Sequence, residues 1–398
     1  MCTSGYKYPT NLQIDYISTN LQIVSNESLF VNLQIRWITT IINSNFMPNI
    51  KGVFKKKNVI VAGGAGFIGS YLCEEIIMQG DAKVICIDNL VSGSVINIER
   101  LLQSPDFKFI RHDISAPIDL LKYPELGPFE IEFEGIQEIY NCATPTSYKD
   151  AKKLAVETIF ANSYGTKNLL DLAKQYSAKL THLSSSAIYG DPLPENKYFK
   201  EDYWGFIDPV GERAVYNEGK RFAETLCVTY RDHMGVEVHI ARVFSTYGPR
   251  MIMDEGRHVP DFVTAALDNK DIVIYGDKEK ALSFCNIKDM VEGIMKLMSS
   301  RERSPINLGS PEEIKLVDVA QKVIDLTGSK SKIVFKDEIS NLQDQGLPDI
   351  KRAKESIGWF PIIKLAEGLK DTIEYMRSAR SRYEQEGLWD QSTLDKEE

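Results

Sequence analysis

A doubly wound α/β fold, in which a parallel sheet carries helices on both faces and a smaller C-terminal lobe closes over one edge, is predicted by three features of this 398-residue sequence. From Lys57 onward strand-like and helix-like runs alternate, the pattern of a parallel sheet joined by helical crossovers. The first such strand runs directly into a glycine cluster that opens a helix. From about residue 244 the elements become shorter and loops more frequent, as expected of a second lobe set over the carboxyl edge of the sheet.

The strands follow from short apolar, β-branched runs at 58–62, 83–87, 107–110, 137–141, 179–184 and 237–242, with later ones at 272–275 and 333–335. Amphipathic spacing predicts helices over 67–79, 159–177 and 212–234, and a last one over 365–380. Residues 57–243 form the nucleotide-binding part in this reading, 244–380 the smaller lobe, and 381–398 a charged tail. Residues 1–56 differ in kind. They are rich in Asn, Ile, Thr and Ser, and Asn-Leu-Gln-Ile recurs at 11–14, 20–23 and 32–35. The segment lacks the basic start and compact apolar run of a signal peptide, so it is given no role, and Met47 is a candidate functional start.

The strand at 58–62 enters Gly63-Gly64-Ala65-Gly66-Phe67-Ile68-Gly69. The three spaced glycines each suit a different need of a nucleotide site. Gly63 permits the tight turn, Gly66 lets backbone approach a pyrophosphate, and Gly69 lets the helix pack on the strand, its N-terminus facing phosphate charge. A second strand ends at Asp88-Asn89, about 20 residues beyond Gly69, where a carboxylate binds ribose hydroxyls and repels a 2′-phosphate. The cofactor expected is therefore NAD rather than NADP. Asp113-Ile114, after the third strand, is placed to meet the adenine, although an Asp there suits a turn or helix cap equally well.

Composition narrows the function. With 43% hydrophobic and 26% charged residues the chain is that of a globular protein, and a net charge of −9 argues against nucleic acid or an anionic membrane as a partner. No apolar run approaches the roughly 20 residues of a membrane span. Six cysteines are scattered without a CxxC pair or metal-ligand spacing, which suits reduced thiols, a cytoplasmic setting and no metal.

Tyr216-Asn217-Glu218-Gly219-Lys220 puts Tyr216 and Lys220 on one helix face. A lysine ammonium and a cationic nicotinamide ring together lower a phenol pKa, so that Tyr216 can take a hydroxyl proton while hydride leaves the same carbon. About 30 residues earlier, Ser184-Ser185-Ser186-Ala187 ends a strand, and a hydroxyl there can hold the sugar oxygen. Either pattern alone also describes ordinary packing or capping. Their coincidence with the glycine turn favours catalysis.

The chain resembles the extended short-chain dehydrogenases, and among them the UDP-glucuronate decarboxylases, over about residues 57–380. The resemblance is carried by Glu201-Asp202-Tyr203-Trp204-Gly205, Pro209 to Arg213, Tyr216 to Arg221, Val243 to Met251, Asn307-Leu308-Gly309, Pro348-Asp349-Ile350 and Gly358-Trp359. It implies a Rossmann domain with a C-terminal substrate-binding lobe, a retained NAD, a nucleoside diphosphate sugar substrate and a homodimer joined through four helices. Tyr216, Lys220 and Ser185 take the catalytic roles. Pro145, Ser186, Ser245, Arg250 and Arg257 are the implied substrate contacts.

Departures from the decarboxylase pattern cluster on the substrate side. Ala187 stands where the family has Glu, Leu282 where it has Arg, and Ser245 where it has Asn; the loop Pro145 to Ala151 lacks the family's Tyr at its usual place. A lost guanidinium means a lost bidentate partner for an anion, for which Lys149, Arg257, Lys278 or Lys280 are candidate substitutes. Decarboxylation of UDP-glucuronate stands first, a C4 epimerase or C4 dehydrogenase second. A 4,6-dehydratase is disfavoured by Ser186-Ala187, and a non-turning NAD-binding partner protein by the intact Ser185, Tyr216 and Lys220.

Overall fold

Strand β1, Lys57–Ala62, has no outward polar face: Val59 through Ala62 are wholly buried, as a central parallel strand covered on both sides requires. In the computed structural model the residues described are 55–147, 151–192, 197–253, 256–337 and 346–385, the side chains to 380. β1 is followed by helix α1, Phe67–Gln79, then β2, Ala82–Asp88, β3, Phe107–Arg111, and β4, Glu138–Asn141. After β4 come α2, Ala155–Phe160, and α3, Thr166–Tyr176, joined by a π-helical turn at Ala161–Gly165. β5, Lys179–Ser185, leads to the short strand β6, Tyr198–Phe199, the long helix α4, Ala214–Met234, and β7, Val238–Val243. A further strand, β8, is Ile306–Leu308.

The central sheet has seven parallel strands in the order β8-β7-β5-β4-β1-β2-β3. Chain direction across the sheet reverses between β1 and β4. A crevice therefore opens outside their carboxyl ends, where ligands of such sheets bind. One face is packed by α1 and by the helix Ile287–Ser299, the other by α3 and α4, giving two separate apolar layers.

The smaller lobe has its own core, formed by helices His258–Leu267, Leu316–Thr327 and Leu365–Gln385 with the parallel pair Ile272–Tyr275 and Ile333–Lys336. A single boundary at 243 does not describe how it is made. Residues 285–308 return to the main sheet: Ile287–Ser299 covers one face, and β8 extends the sheet beside β7. In the other direction β6 leaves the first part to pair with Leu347–Pro348. These crossings hold the two parts in one packed unit, because apolar edges of each are buried by segments of the other.

Local chemistry explains the helix ends. Gly80 and Gly235 close α1 and α4 in the left-handed conformation, which costs a residue without Cβ nothing. The π turn inside α2–α3 carries Asn162, fully buried, whose amide donates to the Thr158 carbonyl. Such turns are a common device for aiming one side chain out of helical register.

Candidate active site

The glycine turn forms one wall of a cleft of about 350 Å³ over the β1–β4 crevice. Gly63 has φ of +73°, and a Cβ on it would lie 2.8 Å from the backbone of Cys142 and Ala143 at the end of β4. At Gly66 a Cβ would sit 3.2 Å from the Gly63 carbonyl, and at Gly69 it would collide with that carbonyl outright. The turn is thus closed by backbone against backbone, leaving a cradle over the uncapped start of α1. This is the shape that a pyrophosphate fills.

Asp88 ends β2 with its carboxylate accepting from the amides of Ala65, at 3.0 Å, and Leu90, at 2.8 Å. Burial raises its pKa, opposed by those two amides. A Cβ on Gly93 would lie 2.8 Å from the same carboxylate, so the loop 89–94 leaves room around it only because Gly93 is bare. Asn89 Nδ2 donates to Asp113 Oδ2 at 3.2 Å. The other Asp113 oxygen caps the turn at Ser115, and the residue lines the cleft. Burial alone would raise the Asp113 pKa, but the Ser115 hydrogen bonds, Asn89 and His112 outweigh it and leave it lowered.

The catalytic candidates converge. Ser185 at the end of β5 and Tyr216 and Lys220 on α4 all line the same cleft as the glycine turn. Lys220 is buried at 4% exposure; its Nζ donates to the Leu183 carbonyl at 2.7 Å and to Thr144 Oγ1 at 2.9 Å. Burial lowers its pKa to about 8, with the thiols Cys142 and Cys227 and the carboxylate of Glu224 acting in the opposite sense. Ser185 Oγ accepts from the Ala187 amide at 3.2 Å, which opens the short 3-10 turn Ser186–Tyr189. Tyr216 is half-buried in the first turn of α4, on the wall facing the cleft.

Every cofactor, catalytic and substrate residue singled out in the sequence borders this one cavity. Two need a closer reading. Arg250 borders it, but its guanidinium pairs with Glu74, donates to Ser70 Oγ at 3.3 Å and lies 4.3 Å from the Tyr71 ring centroid, all on α1. It fastens the loop to α1 while lining the cavity. Arg257 lines the cleft and donates to the Thr146 carbonyl at 3.2 Å. Of the substitute cations, Lys278 lies 5.2 Å over the Phe335 ring, and neither it nor Lys280 borders the cavity; Lys149 lies outside the described residues. Leu282 is buried at 6% in the core of the small lobe, away from the cavity wall.

Sequence reasoning missed Thr144, Asn162 and Arg213. Thr144 bonds Lys220 and reaches Asn162 Oδ1 at 3.1 Å, linking α4 to the π turn. Arg213, three residues before Tyr216, lines the substrate end. For Thr144 a signal existed, since Asn141-Cys142-Ala143-Thr144 leaves β4 at the switch point; for Asn162 none did, because a π turn has no clear sequence mark.

Comparison with known proteins agrees with this geometry. The model of the NAD dependent epimerase/dehydratase family matches residues 59–309. UDP-glucuronic acid decarboxylase 1 of Xenopus tropicalis is 39% identical over 332 residues, covering 83% of this chain and 75% of the relative. UDP-glucuronic acid decarboxylase 1 of Arabidopsis thaliana is 40% identical over 324 residues, covering 81% and 71%. Among solved structures, UDP-glucuronic acid 4-epimerase from Bacillus cereus in complex with NAD superposes with a TM-score of 0.68 at 25% identity, over 81% of this chain and 99% of that one. UDP-N-acetylglucosamine 4-epimerase from Methanobrevibacter ruminantium gives a TM-score of 0.72 at 25% identity, over 82% and 99%. The chain is an NAD-dependent enzyme of α/β architecture and belongs to the NAD dependent epimerase/dehydratase family.

Proposed function

We propose that this enzyme converts UDP-glucuronate to UDP-xylose and carbon dioxide through a transient ketone at C4 of the sugar. The observation that carries the reading is the meeting of Ser185, Tyr216 and Lys220 with the glycine cradle in one cleft; the identity to UDP-glucuronic acid decarboxylases supports the substrate.

NAD, when bound, supplies the acceptor for the C4 hydride and afterwards the donor that restores it. The residues do the rest. Tyr216 takes the proton from O4 while Ser185 holds that oxygen by a hydrogen bond. Lys220, as an ammonium, favours the phenolate form of Tyr216. With C4 a ketone, the C6 carboxylate is β to a carbonyl; its bond to C5 breaks, carbon dioxide leaves, and the electron pair moves into O4, where the Tyr216 and Ser185 hydroxyls stabilise it. C5 then takes a proton from water, which re-forms the C4 ketone, and on its reduction Tyr216 returns its proton to O4. Phe199, Phe244 and Ala187 give this end of the cleft an apolar stretch of wall.

C4 epimerisation is the second reading. It is favoured by the absence of an acid at Ala187, because inversion at C4 needs no proton delivered at C5. The deciding experiment is incubation of the NAD-loaded protein with UDP-glucuronate and mass spectrometry of the product. Loss of the mass of carbon dioxide is expected. An unchanged mass with a new C4 configuration by proton NMR establishes the epimerase, and an unchanged substrate rejects both.

The functional form is proposed to be a homodimer. Val156, Ile159 and Tyr164 on α2 and its π turn, and Phe222 on the neighbouring α4, leave apolar side chains at 44–59% exposure, a face suited to a second copy. Light scattering tests this, and Val156→Glu is expected to give a monomer.

A further inference from the structure

A buried polar network outside the cleft joins the catalytic helix to the substrate wall, and Arg242 is its centre. Arg242 sits on β7 with its guanidinium almost wholly enclosed. Nε and Nη2 donate to the two carboxylate oxygens of Glu224, at 3.0 and 2.8 Å, in a forked pair. Nη1 donates to the Tyr189 hydroxyl and to the Glu201 carbonyl, both at 2.8 Å. Tyr189 passes the network on, donating to Asn307 Oδ1 at 2.7 Å. Asn307 Nδ2 then donates to the carbonyls of Phe199, at 2.9 Å, and Asp349, at 3.2 Å, while its amide reaches Glu201 Oε1 at 3.0 Å.

The elements tied together are those that carry the reaction. Glu224 lies on α4 one turn beyond Lys220 and two beyond Tyr216. Tyr189 closes the turn that starts at Ser185. Phe199, whose carbonyl accepts from Asn307, forms part of the substrate wall, its ring tilted against Tyr189 at 4.8 Å and stacked on Tyr203 at 5.6 Å. Neither Arg242 nor Glu224 borders the cavity. An arginine fork is planar and fixes its partners in two directions, which lysine cannot do.

We propose that Arg242 is a positioning residue: through Glu224 it sets Tyr216 and Lys220 on α4 against Ser185 and the substrate wall. Electrostatics adds a second consequence of the same contact. The titratable groups facing Lys220 are Cys142 after β4, His182 on β5, and Glu224 and Cys227 on α4, with Tyr216 one turn away. Glu224 holds the Lys220 ammonium against the effect of burial. Its loss lowers the pH at which Lys220 gives up its proton.

The proposal rests on Tyr216 and Lys220 acting as described above, and the test separates the two. Wild-type turnover of UDP-glucuronate by the NAD-loaded full chain is measured first. Arg242→Lys is then expected to lower kcat by about 10- to 100-fold through misplacement, with NAD affinity and KM little changed. Glu224→Gln, which keeps the size of the side chain but removes its charge and one of the two acceptors that Arg242 uses, is expected to move the alkaline limb of the kcat profile to lower pH. A wild-type kcat in Arg242→Lys overturns the proposal. So does a parallel loss of NAD affinity and turnover in both variants with the pH limb unmoved, which marks a merely structural role. Should the wild type turn over no sugar nucleotide, the functional reading fails by itself. The positioning claim is then decided on tyrosinate absorbance of the NAD-loaded protein, corrected with Tyr216→Phe: it stands if Arg242→Lys shifts the titration and falls if it does not.

Discussion

The cofactor half and the substrate half of the cleft are built by different means. On the cofactor side the shape is made by backbone: Gly63 turns where a side chain would strike the end of β4, and Gly69 lets α1 lie on the turn. On the substrate side the shape is made by side chains from distant segments, with Ala187, Phe199, Ser245 and Arg257 all contributing. Backbone closure tolerates almost no substitution, whereas a wall of side chains can be rebuilt residue by residue. Of the departures from the decarboxylase pattern, Ala187 and Ser245 lie on that side-chain wall, while Leu282 lies in the core of the small lobe.

Tyr216→Phe tests the point shared by both halves and has the largest expected effect. It removes the proton acceptor, and turnover should fall by about 10²–10⁴-fold, while NAD binding, followed by fluorescence, persists. Restoring the family's arginine is the next largest. Leu282 is enclosed in the small lobe, so Leu282→Arg places an unpaired charge in an apolar core; a loss of about 3–5 kcal/mol in denaturant unfolding is expected, without gain of activity. A stable, faster Leu282→Arg variant would mean that the substrate half is more plastic than its packing shows.

Gly69→Ala addresses the backbone-built half. Its methyl group meets the Gly63 carbonyl, and a cost of about 1–3 kcal/mol together with loss of retained NAD is expected. If calorimetry finds NAD affinity unchanged, the contrast between the halves is wrong. Asp88→Ser removes a carboxylate that faces the cleft, and should improve NADP relative to NAD by at least about 10-fold in equilibrium binding. The smallest effect is in pH. The sign follows from Lys220: burial lowers its pKa to about 8, so raising the pH through that value removes the ammonium that stabilises the Tyr216 phenolate. The kcat profile should therefore fall on the alkaline side of about 8. A profile flat to well above that value would separate Lys220 from the chemistry.

Much of this was legible in the chain itself, and particular residues show why. Strands β1 and β2 carry continuous apolar runs, Val59 to Ala62 and Val84 to Ile87, because both faces of the sheet are covered, and a run of that kind is visible in one dimension. Gly63 to Gly69, Asp88 and the pair Tyr216 and Lys220 are local patterns, set by one turn, one strand end and one helix face. The partners of Arg250 were not legible, for the opposite reason. Its neighbours Ser70, Tyr71 and Glu74 stand in a helix near the start of the fold, far away in sequence, and nothing near Arg250 announces them.

The same division holds for the whole molecule. By itself the sequence determined the parallel sheet, the dinucleotide turn, the choice of NAD and the placing of Tyr216 and Lys220 on one helix face, since each depends on spacing within about one supersecondary unit. Only the tertiary structure decided that Ile287–Ser299 and β8 belong to the main sheet, that Thr144 and Asn162 hold Lys220, and that Arg242 joins α4 to the substrate wall. These are contacts between segments far apart in the chain, selected by burial: a polar group taken out of water must find its partner wherever the fold brings one within reach.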